Sequence, residues 1–181
     1  MSYLSIIALL FGALGVWLTI KQTILCWPVS LIAVIASLIE FYNQRLFGDM
    51  SLQVFYFFAG VYGWIYWNQK SRETFNVIDM PSSQILPLMI VTLLQVFVYY
   101  SLLKYYNGDK PLVDAILTAC SLTATFMMTK KYVQNWAAWV FIDFAYILLY
   151  ISKNMWIFAV LYLIFTLLAF YGWRKWKNMV I

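Results

Sequence analysis

One predicted helix carries five side chains whose types are suited to binding an organic ligand. They recur at intervals of three or four residues, which keeps them on one helix face, and they are Trp136, Trp139, Asp143, Tyr146 and Tyr150. Indole and phenol rings stack on flat molecules and attract cations, while a carboxylate supplies a negative charge and acceptor oxygens. This face therefore indicates a site for a flat ligand that is cationic or donates hydrogen bonds.

The composition indicates that this helix lies in a membrane. The 181 residues are 65% hydrophobic and 10% charged, and the mean hydropathy is +0.80, whereas soluble domains are about 25% charged. So much apolar surface indicates an integral membrane protein whose main partner is the lipid bilayer. There is no histidine, and the two cysteines, Cys26 and Cys120, lie in apolar runs. A zinc or di-iron site is therefore not expected, and no metal or cofactor is predicted.

Asp143 is the most informative of these residues because it falls in the middle of its predicted span. An acid at that depth costs about 2.5–3.5 kcal/mol on insertion scales, so it is a functional hypothesis by default. The alternative is that Trp136 and Tyr150 belong to the interfacial aromatic belt, and that Asp143 is satisfied by a neighbouring helix. The belt alone does not explain a carboxylate in mid-span, which favours the ligand site.

Two further polar side chains are candidates for the same site. Gln53 is an amide inside the third apolar run, although it could also join two helices by a hydrogen bond. Glu40 lies near the end of the second run, where it could instead reach the headgroups or pair with Arg45.

Seven continuous apolar stretches are long enough to cross the bilayer as helices. They cover residues 2–20, 24–43, 48–67, 84–106, 112–129, 134–151 and 154–173. Continuous apolar runs favour helices over the alternating pattern of barrel strands. The sequence therefore predicts an all-α integral membrane protein with seven transmembrane helices in one domain.

The cationic residues divide unequally between the two predicted sides. One side holds Lys21, Lys70, Arg72, Lys130, Lys131, Arg174, Lys175 and Lys177, and the other holds Arg45, Lys104, Lys110 and Lys153. The richer side is predicted to be cytoplasmic, with the N-terminus outside and the C-terminus inside. Cations in short loops between spans explain the net charge of +5 without nucleic-acid binding, which is not expected.

The chain also matches itself at an offset of 109 residues. The matching positions are Lys21 with Lys130, Trp27 with Trp136, and Tyr62, Gly63, Trp64 and Trp67 with Tyr171, Gly172, Trp173 and Trp176. The match predicts one repeat over about 2–67, a linker helix over about 84–106 and a second repeat over about 112–176. A shift of four helices is even, so the repeats point the same way, in a 3+1+3, SWEET-like arrangement. Transporters built from repeats bind substrate near the midplane, at the repeat interface.

The two Tyr-Gly-Trp stretches end the third and seventh spans beside lysines and arginines. Tyrosine and tryptophan at such a boundary are typical of interfacial anchors, and the glycines allow close helix contact.

Residues 52–67 (LQVFYFFAGVYGWIYW) and 127–143 (MMTKKYVQNWAAWVFID) resemble the PnuC family of bacterial vitamin transporters. The resemblance covers essentially the whole chain. It implies uptake of nicotinamide riboside, with relatives carrying thiamine or riboflavin. It also implies a homotrimer in the bacterial plasma (inner) membrane that works by facilitated diffusion, or uniport, and a cytoplasmic kinase that traps the substrate by phosphorylation. The family's binding residues correspond to Trp136, Trp139 and Gln53.

One position departs from the family pattern. Nicotinamide riboside carriers typically have asparagine four residues after the second tryptophan, where this chain has Asp143. A carboxylate suits the cationic nicotinamide ring, and it equally suits the aminopyrimidine of thiamine. Riboflavin, which is neutral and larger, fits least well. Nicotinamide riboside is thus the first expectation and thiamine the alternative.

Two other classes fit less well. A membrane enzyme would need catalytic groups, yet the chain has no histidine, no Gly-x-Ser-x-Gly motif and only one deep acid. A purely structural membrane protein would leave the repeat and the mid-span carboxylate without a purpose.

Overall fold

The computed structural model describes residues 2–43, 47–70, 76–106, 110–152 and 156–180. Within these ranges the chain forms seven α-helices: α1 Tyr3–Ile20, α2 Cys26–Asn43, α3 Phe47–Lys70, α4 Ser82–Tyr105, α5 Pro111–Thr129, α6 Gln134–Ser152 and α7 Trp156–Lys177. The seven predicted spans coincide with them. The largest difference is at the end of α7, predicted at 173 and observed at Lys177.

Five of the described helices, α1, α2, α4, α5 and α6, are both long and apolar enough to cross a membrane. The other two, α3 and α7, have 24 and 22 residues. At about 1.5 Å per residue, both exceed the roughly 30 Å of a hydrocarbon core. All seven helices therefore have the length that a membrane span requires.

The chain divides into two compact units, Met1–Asn76 and Val77–Ile181. In the first unit, α2 packs against both α1 and α3. The α1–α2 crossing is close at Gly15, where a Cβ atom would collide with the Ser30 side chain. The glycine therefore allows the two helices to approach closely at this crossing.

In the second unit, α5 packs between α4 and α6, and α6 packs on α7. Nine of the 19 residues of α5 are buried, and three of them are threonines, whose hydroxyls need partners. The hydroxyls of Thr125 and Thr129 donate to the carbonyls of Ser121 and Thr125, at 2.9 and 3.0 Å. These bonds within the helix satisfy both hydroxyls. By contrast, none of the 24 residues of α4, all in the described part of the chain, is buried.

The turn that follows α1 recurs in detail after α5, at the offset of 109 residues. Gln22 and Lys131 both adopt a left-handed conformation, with φ of 57° and 56°, which is uncommon for residues other than glycine. The next amide in each turn donates to a carbonyl five residues back: Thr23 N to Leu18 O at 3.1 Å, and Tyr132 N to Met127 O at 3.0 Å. The two turns therefore share one backbone geometry.

The second of these turns also holds the segment that precedes α4. Ile78 N donates to Lys131 O at 3.2 Å, and Val133 N donates to Ile78 O at 3.0 Å. The Gln134 side chain extends the contact, because its oxygen accepts from Met80 N and its Nε2 donates to Asp79, both at 2.9 Å. These bonds fix the start of α4 on the α5–α6 turn.

Gln134→Ala is expected to lower the melting temperature of the detergent-solubilised protein by several degrees. It removes two hydrogen bonds, each contributing about 0.5–1.5 kcal/mol, and leaves the Met80 amide without its acceptor. Thermal unfolding followed by circular dichroism tests this. Gln84→Ala is the matched control, because Gln84 is an exposed residue of α4 and its loss should leave the melting temperature within about one degree. Equal melting temperatures for the two variants would contradict the assignment.

Candidate functional site

Asp143 is the tenth residue of the 19-residue α6, and its side chain is 4% exposed. Within the described ranges, no hydrogen bond or ion pair joins its carboxylate to another residue. A buried acid without a partner is unfavourable in the absence of ligand. This is the arrangement expected of a group that binds a cation or hydrogen-bond donor brought by a substrate.

Trp136 lies seven residues before Asp143, but it packs inside the unit. It is 2% exposed, and its ring meets the Trp176 ring edge-on at a centroid distance of 5.3 Å and an interplanar angle of 88°. Its ring also covers Gly172, where a Cβ atom would lie 2.8 Å from the indole. Trp136, Gly172 and Trp176 form what we call the second tryptophan joint, which holds α6 against α7.

The first unit contains the same arrangement 109 residues earlier. Trp27 meets Trp67 edge-on at 5.5 Å and 88°, and a Cβ atom at Gly63 would collide with the Trp27 ring. These residues form the first tryptophan joint, between α2 and α3. The Nε1 atoms of Trp27 and Trp136 are both buried without a hydrogen-bond partner among the described residues. Each joint therefore depends on the steric fit between the tryptophan ring and the glycine, and not on hydrogen bonds from these indoles.

The residues of the two Tyr-Gly-Trp stretches have two different roles. The predicted close approach at the glycines is confirmed by both joints. Tyr62, Trp64 and Tyr171 are 49%, 42% and 47% exposed, as interfacial anchors would be. Trp67 and Trp176 are only 3% and 0% exposed, so the anchor prediction is wrong for these two tryptophans. Each is held in the interior by the glycine–tryptophan contact of its joint.

Trp139 and Tyr146 lie one helical turn before and after Asp143, and both are half-buried. The Tyr146 ring stacks on the Tyr150 ring at 6.0 Å and 20°. Both rings also contact Tyr162 of α7, at centroid distances of 4.6 and 5.3 Å. Tyr146, Tyr150 and Tyr162 form a group that we call the tyrosine cluster. The structure thus brings together Trp139, Asp143 and Tyr146 along α6.

Tyr162 was not among the predicted site residues, although the sequence contained a signal for it. Its position minus 109 is Gln53, the one amide predicted to bind ligand. α3 begins at Phe47 and α7 at Trp156, so Gln53 and Tyr162 are each the seventh residue of their helix. Both side chains are half-buried. The repeat therefore assigns equivalent positions to these two residues.

The two candidates in the first unit lie on different helices. Gln53 is on α3, whereas Glu40 lies near the end of α2 and accepts hydrogen bonds from Ser2 Oγ at 2.5 Å and Ser5 Oγ at 3.2 Å. Ser2 is the N-cap of α1, so Glu40 ties the end of α2 to the start of α1. Its alternative partner, Arg45, lies outside the described residues, as do Arg72 and Lys153. Within the described ranges, no group of three potential metal ligands is present.

The fold and this face together define a class of protein. The described ranges form seven helices of spanning length, and the middle of α6 carries an acid that has no partner among the described residues. An acid of this kind on an aromatic helix face is typical of membrane transporters.

Comparisons with known proteins identify the family. The family described as nicotinamide mononucleotide transporter matches residues 2–178, and the chain belongs to this family, that of PnuC. The nicotinamide riboside transporter PnuC of Escherichia coli (strain K12) is 24% identical over 206 residues, which cover 98% of this chain and 86% of the relative. The PnuC of Shigella flexneri matches to the same extent.

The fold is also that of a solved relative. The crystal structure of the vitamin B3 transporter PnuC superposes with a TM-score of 0.81 at 20% identity, over 99% of this chain and 82% of that one. A likeness at that identity supports the helical architecture, and the chemistry of the site has to be argued from this chain's own residues.

Proposed function

We propose that the protein carries nicotinamide riboside across the membrane by facilitated diffusion, as a uniporter and not an enzyme. The observation that carries the proposal is Asp143, a buried carboxylate in mid-helix without a described partner. Trp139 and Tyr146 flank it on the same helix face. Two relatives that bear the name nicotinamide riboside transporter match nearly the whole chain, which supports this choice of substrate.

The charge of the ligand explains why an acid is tolerated here. The nicotinamide ring of the riboside is cationic, and an opposite charge about 4 Å away interacts by about 4 kcal/mol at an effective dielectric constant near 20. That attraction is comparable with the roughly 2.5–3.5 kcal/mol needed to insert the acid at mid-membrane. A cation therefore offsets the burial of Asp143, whereas a neutral ligand of the same shape leaves the charge uncompensated.

The aromatic neighbours provide the rest of the recognition. The faces of Trp139 and Tyr146 attract a cationic ring by about 0.5–2 kcal/mol each, depending on how far water is excluded. Gln53 contributes an amide to the substrate, as the family resemblance implies. In this proposal Trp136 positions α6 through its contact with Gly172, and Glu40 holds the start of α1.

The proposed architecture is one transmembrane domain with two three-helix repeats that point the same way, joined by α4. The identical turns at Gln22 and Lys131 and the matching tryptophan joints support this 3+1+3, SWEET-like arrangement. The excess of cations on one side supports an outside N-terminus and a cytoplasmic C-terminus. We also propose a homotrimer and intracellular trapping by a kinase, both on the family resemblance.

Thiamine is the second candidate, and Asp143 is again the observation that favours it. The aminopyrimidine of thiamine offers an exocyclic amine and, when its basic ring nitrogen is protonated, a second donor, so a carboxylate can accept at two points. Its thiazolium ring is also cationic. A single acid at mid-depth therefore fits both vitamins.

Calorimetric titration of the purified protein tests the proposal, with nicotinamide riboside, nicotinamide mononucleotide, thiamine and riboflavin as ligands. We expect the riboside to bind most tightly. The mononucleotide should bind weakly because its phosphate brings negative charge towards Asp143. Tighter binding of thiamine would replace the first candidate by the second. If none of the four ligands binds, the protein is not a vitamin carrier of this kind.

A further inference from the structure

Resting on the proposed function, we propose that the tyrosine cluster is a second binding subsite, which receives the cationic ring of the substrate before it reaches Asp143. Tyr162 of α7 is the contact that defines the subsite. The cluster lies wholly within the second unit, along the half of α6 that follows Asp143.

The position of the tyrosine cluster along α6 indicates that the substrate reaches it before Asp143. Tyr146 and Tyr150 are three and seven residues beyond Asp143, which corresponds to about 4.5 and 10.5 Å along the helix axis. Both are closer than Asp143 to Ser152, the last residue of α6. A ligand that enters from this end of the helix meets the tyrosines first and the carboxylate second. In the proposed topology this end is the outer one.

The ring geometry suits a flat cation. Tyr162 lies 4.6 Å from the Tyr146 ring at an interplanar angle of 31°, and 5.3 Å from the Tyr150 ring at 32°. The three rings are inclined to one another by only 20–32° at centroid distances of 4.6–6.0 Å, so they form a stack that a flat cationic ring can extend. The three side chains are half-buried, so a cation there is partly desolvated, which strengthens its attraction to the rings.

A simple interfacial belt would look different. Tyr105 and Tyr106, at the end of α4, are 80% and 76% exposed, as tyrosines in contact with headgroups would be. Those two rings meet edge-on at 87°. The tyrosine cluster instead spans two helices, packs nearly face to face and is only half as accessible or less. These differences favour a ligand-binding role over anchoring.

The internal repeat gives an independent reason to select Tyr162. It occupies the position in α7 that Gln53 occupies in α3, the seventh residue of each helix. Gln53 is the predicted amide contact of the first repeat. The corresponding position in the second repeat thus carries an aromatic ring suited to the nicotinamide cation, while an amide suits the hydroxyl groups of the ribose.

Uptake into proteoliposomes that hold the purified protein tests this subsite. Two substrates are compared: nicotinamide riboside, which is cationic, and its dihydro form, which is neutral and of nearly the same shape. We expect Tyr162→Leu to raise the KM for the cationic substrate about fivefold or more. The KM for the neutral substrate should change less than twofold, and Tyr162→Phe should behave nearly as the unmodified protein with both.

Two further variants keep the test decisive. Tyr106→Leu is the matched control, since it removes an exposed tyrosine outside the cluster and should leave both KM values unchanged. If Tyr162→Leu does not fold, 3,5-difluorophenylalanine at position 162 keeps the shape and weakens the electron-rich face, and it should raise the KM of the cationic substrate alone.

The outcomes separate this inference from the proposed function. Equal losses with both substrates, or no change in either KM, would overturn the role of Tyr162 as a cation contact. If the unmodified protein transports neither substrate, the proposed function itself fails. Transport by the unmodified protein with no selective effect at Tyr162 leaves the proposed function intact and removes the subsite.

Discussion

Asp143→Asn is expected to weaken the binding of nicotinamide riboside at least tenfold. The substitution keeps the size of the side chain but removes its charge, and hydrogen bonds to charged groups contribute about 1.5–3 kcal/mol, which corresponds to a factor of ten or more. The neutral dihydro form should lose little affinity, because it has no charge to pair. Calorimetric titration of both ligands against both proteins measures the difference.

The same substitution should not destabilise the empty protein. No described hydrogen bond or ion pair depends on the Asp143 carboxylate, so its melting temperature without ligand should stay constant or rise. Asp114→Asn is the control, because Asp114 lies in the first turn of α5 and its loss should leave riboside affinity within about twofold. An Asp143→Asn protein that is less stable and binds both ligands equally well would assign the carboxylate to structure.

Gly63→Ala and Gly172→Ala are expected to lower the melting temperature strongly. A Cβ at either glycine would press on a tryptophan ring held on its other side by Trp67 or Trp176. Overpacking of this kind costs about 1–3 kcal/mol, which outweighs the roughly 1 kcal/mol of helix propensity that alanine gains over glycine. Thermal unfolding in detergent, followed by near-ultraviolet circular dichroism, reports on the tryptophan environment directly.

Gly60→Ala is the matched control for the two joints. A Cβ at Gly60 would meet the Cδ2 methyl of Leu31 at 2.9 Å and its Cγ at an ordinary contact distance of 3.5 Å, and the methyl can rotate away. Its melting temperature should therefore stay nearly constant or rise. If all three variants unfold at the same temperature, the joints do not hold the helices as described. Larger substitutions such as Gly172→Leu should abolish the peak of the folded protein in size-exclusion chromatography.

The helices were predictable because a long continuous run of apolar residues is a strong signal that is contained within each segment of the sequence. Continuous apolar runs of spanning length fixed seven helices, including the end of α6 to within one residue. The ends of α3 and α7 extend three and four residues further than predicted. Their last turns combine tryptophans with lysines, so the apolar run stops before the helix does. In α7 the buried Trp176 continues the packing into that basic turn.

The site was predictable only in part. The spacing of residues along α6 predicts which of them share a helix face, but it does not predict which residues of other helices contact them. Trp136 and Trp139 share a face of α6, yet Trp136 is 2% exposed and packs on Gly172 of α7, whereas Trp139 is half-buried. No pattern within α6 alone reveals that contact. The left-handed turns at Gln22 and Lys131 were equally hidden, because neither residue is glycine. Tyr162, by contrast, could have been found by applying the 109-residue offset to Gln53.

We propose that this chain is a uniporter for the cationic riboside, and an equilibration experiment in proteoliposomes tests this proposal. Liposomes with purified protein and no ion gradient are given radiolabelled nicotinamide riboside, with protein-free liposomes as control. We predict saturable entry that stops when the internal and external concentrations are equal. Accumulation above the external concentration on imposing a sodium or proton gradient with the membrane potential held at zero, or entry no faster than in protein-free liposomes, would contradict it.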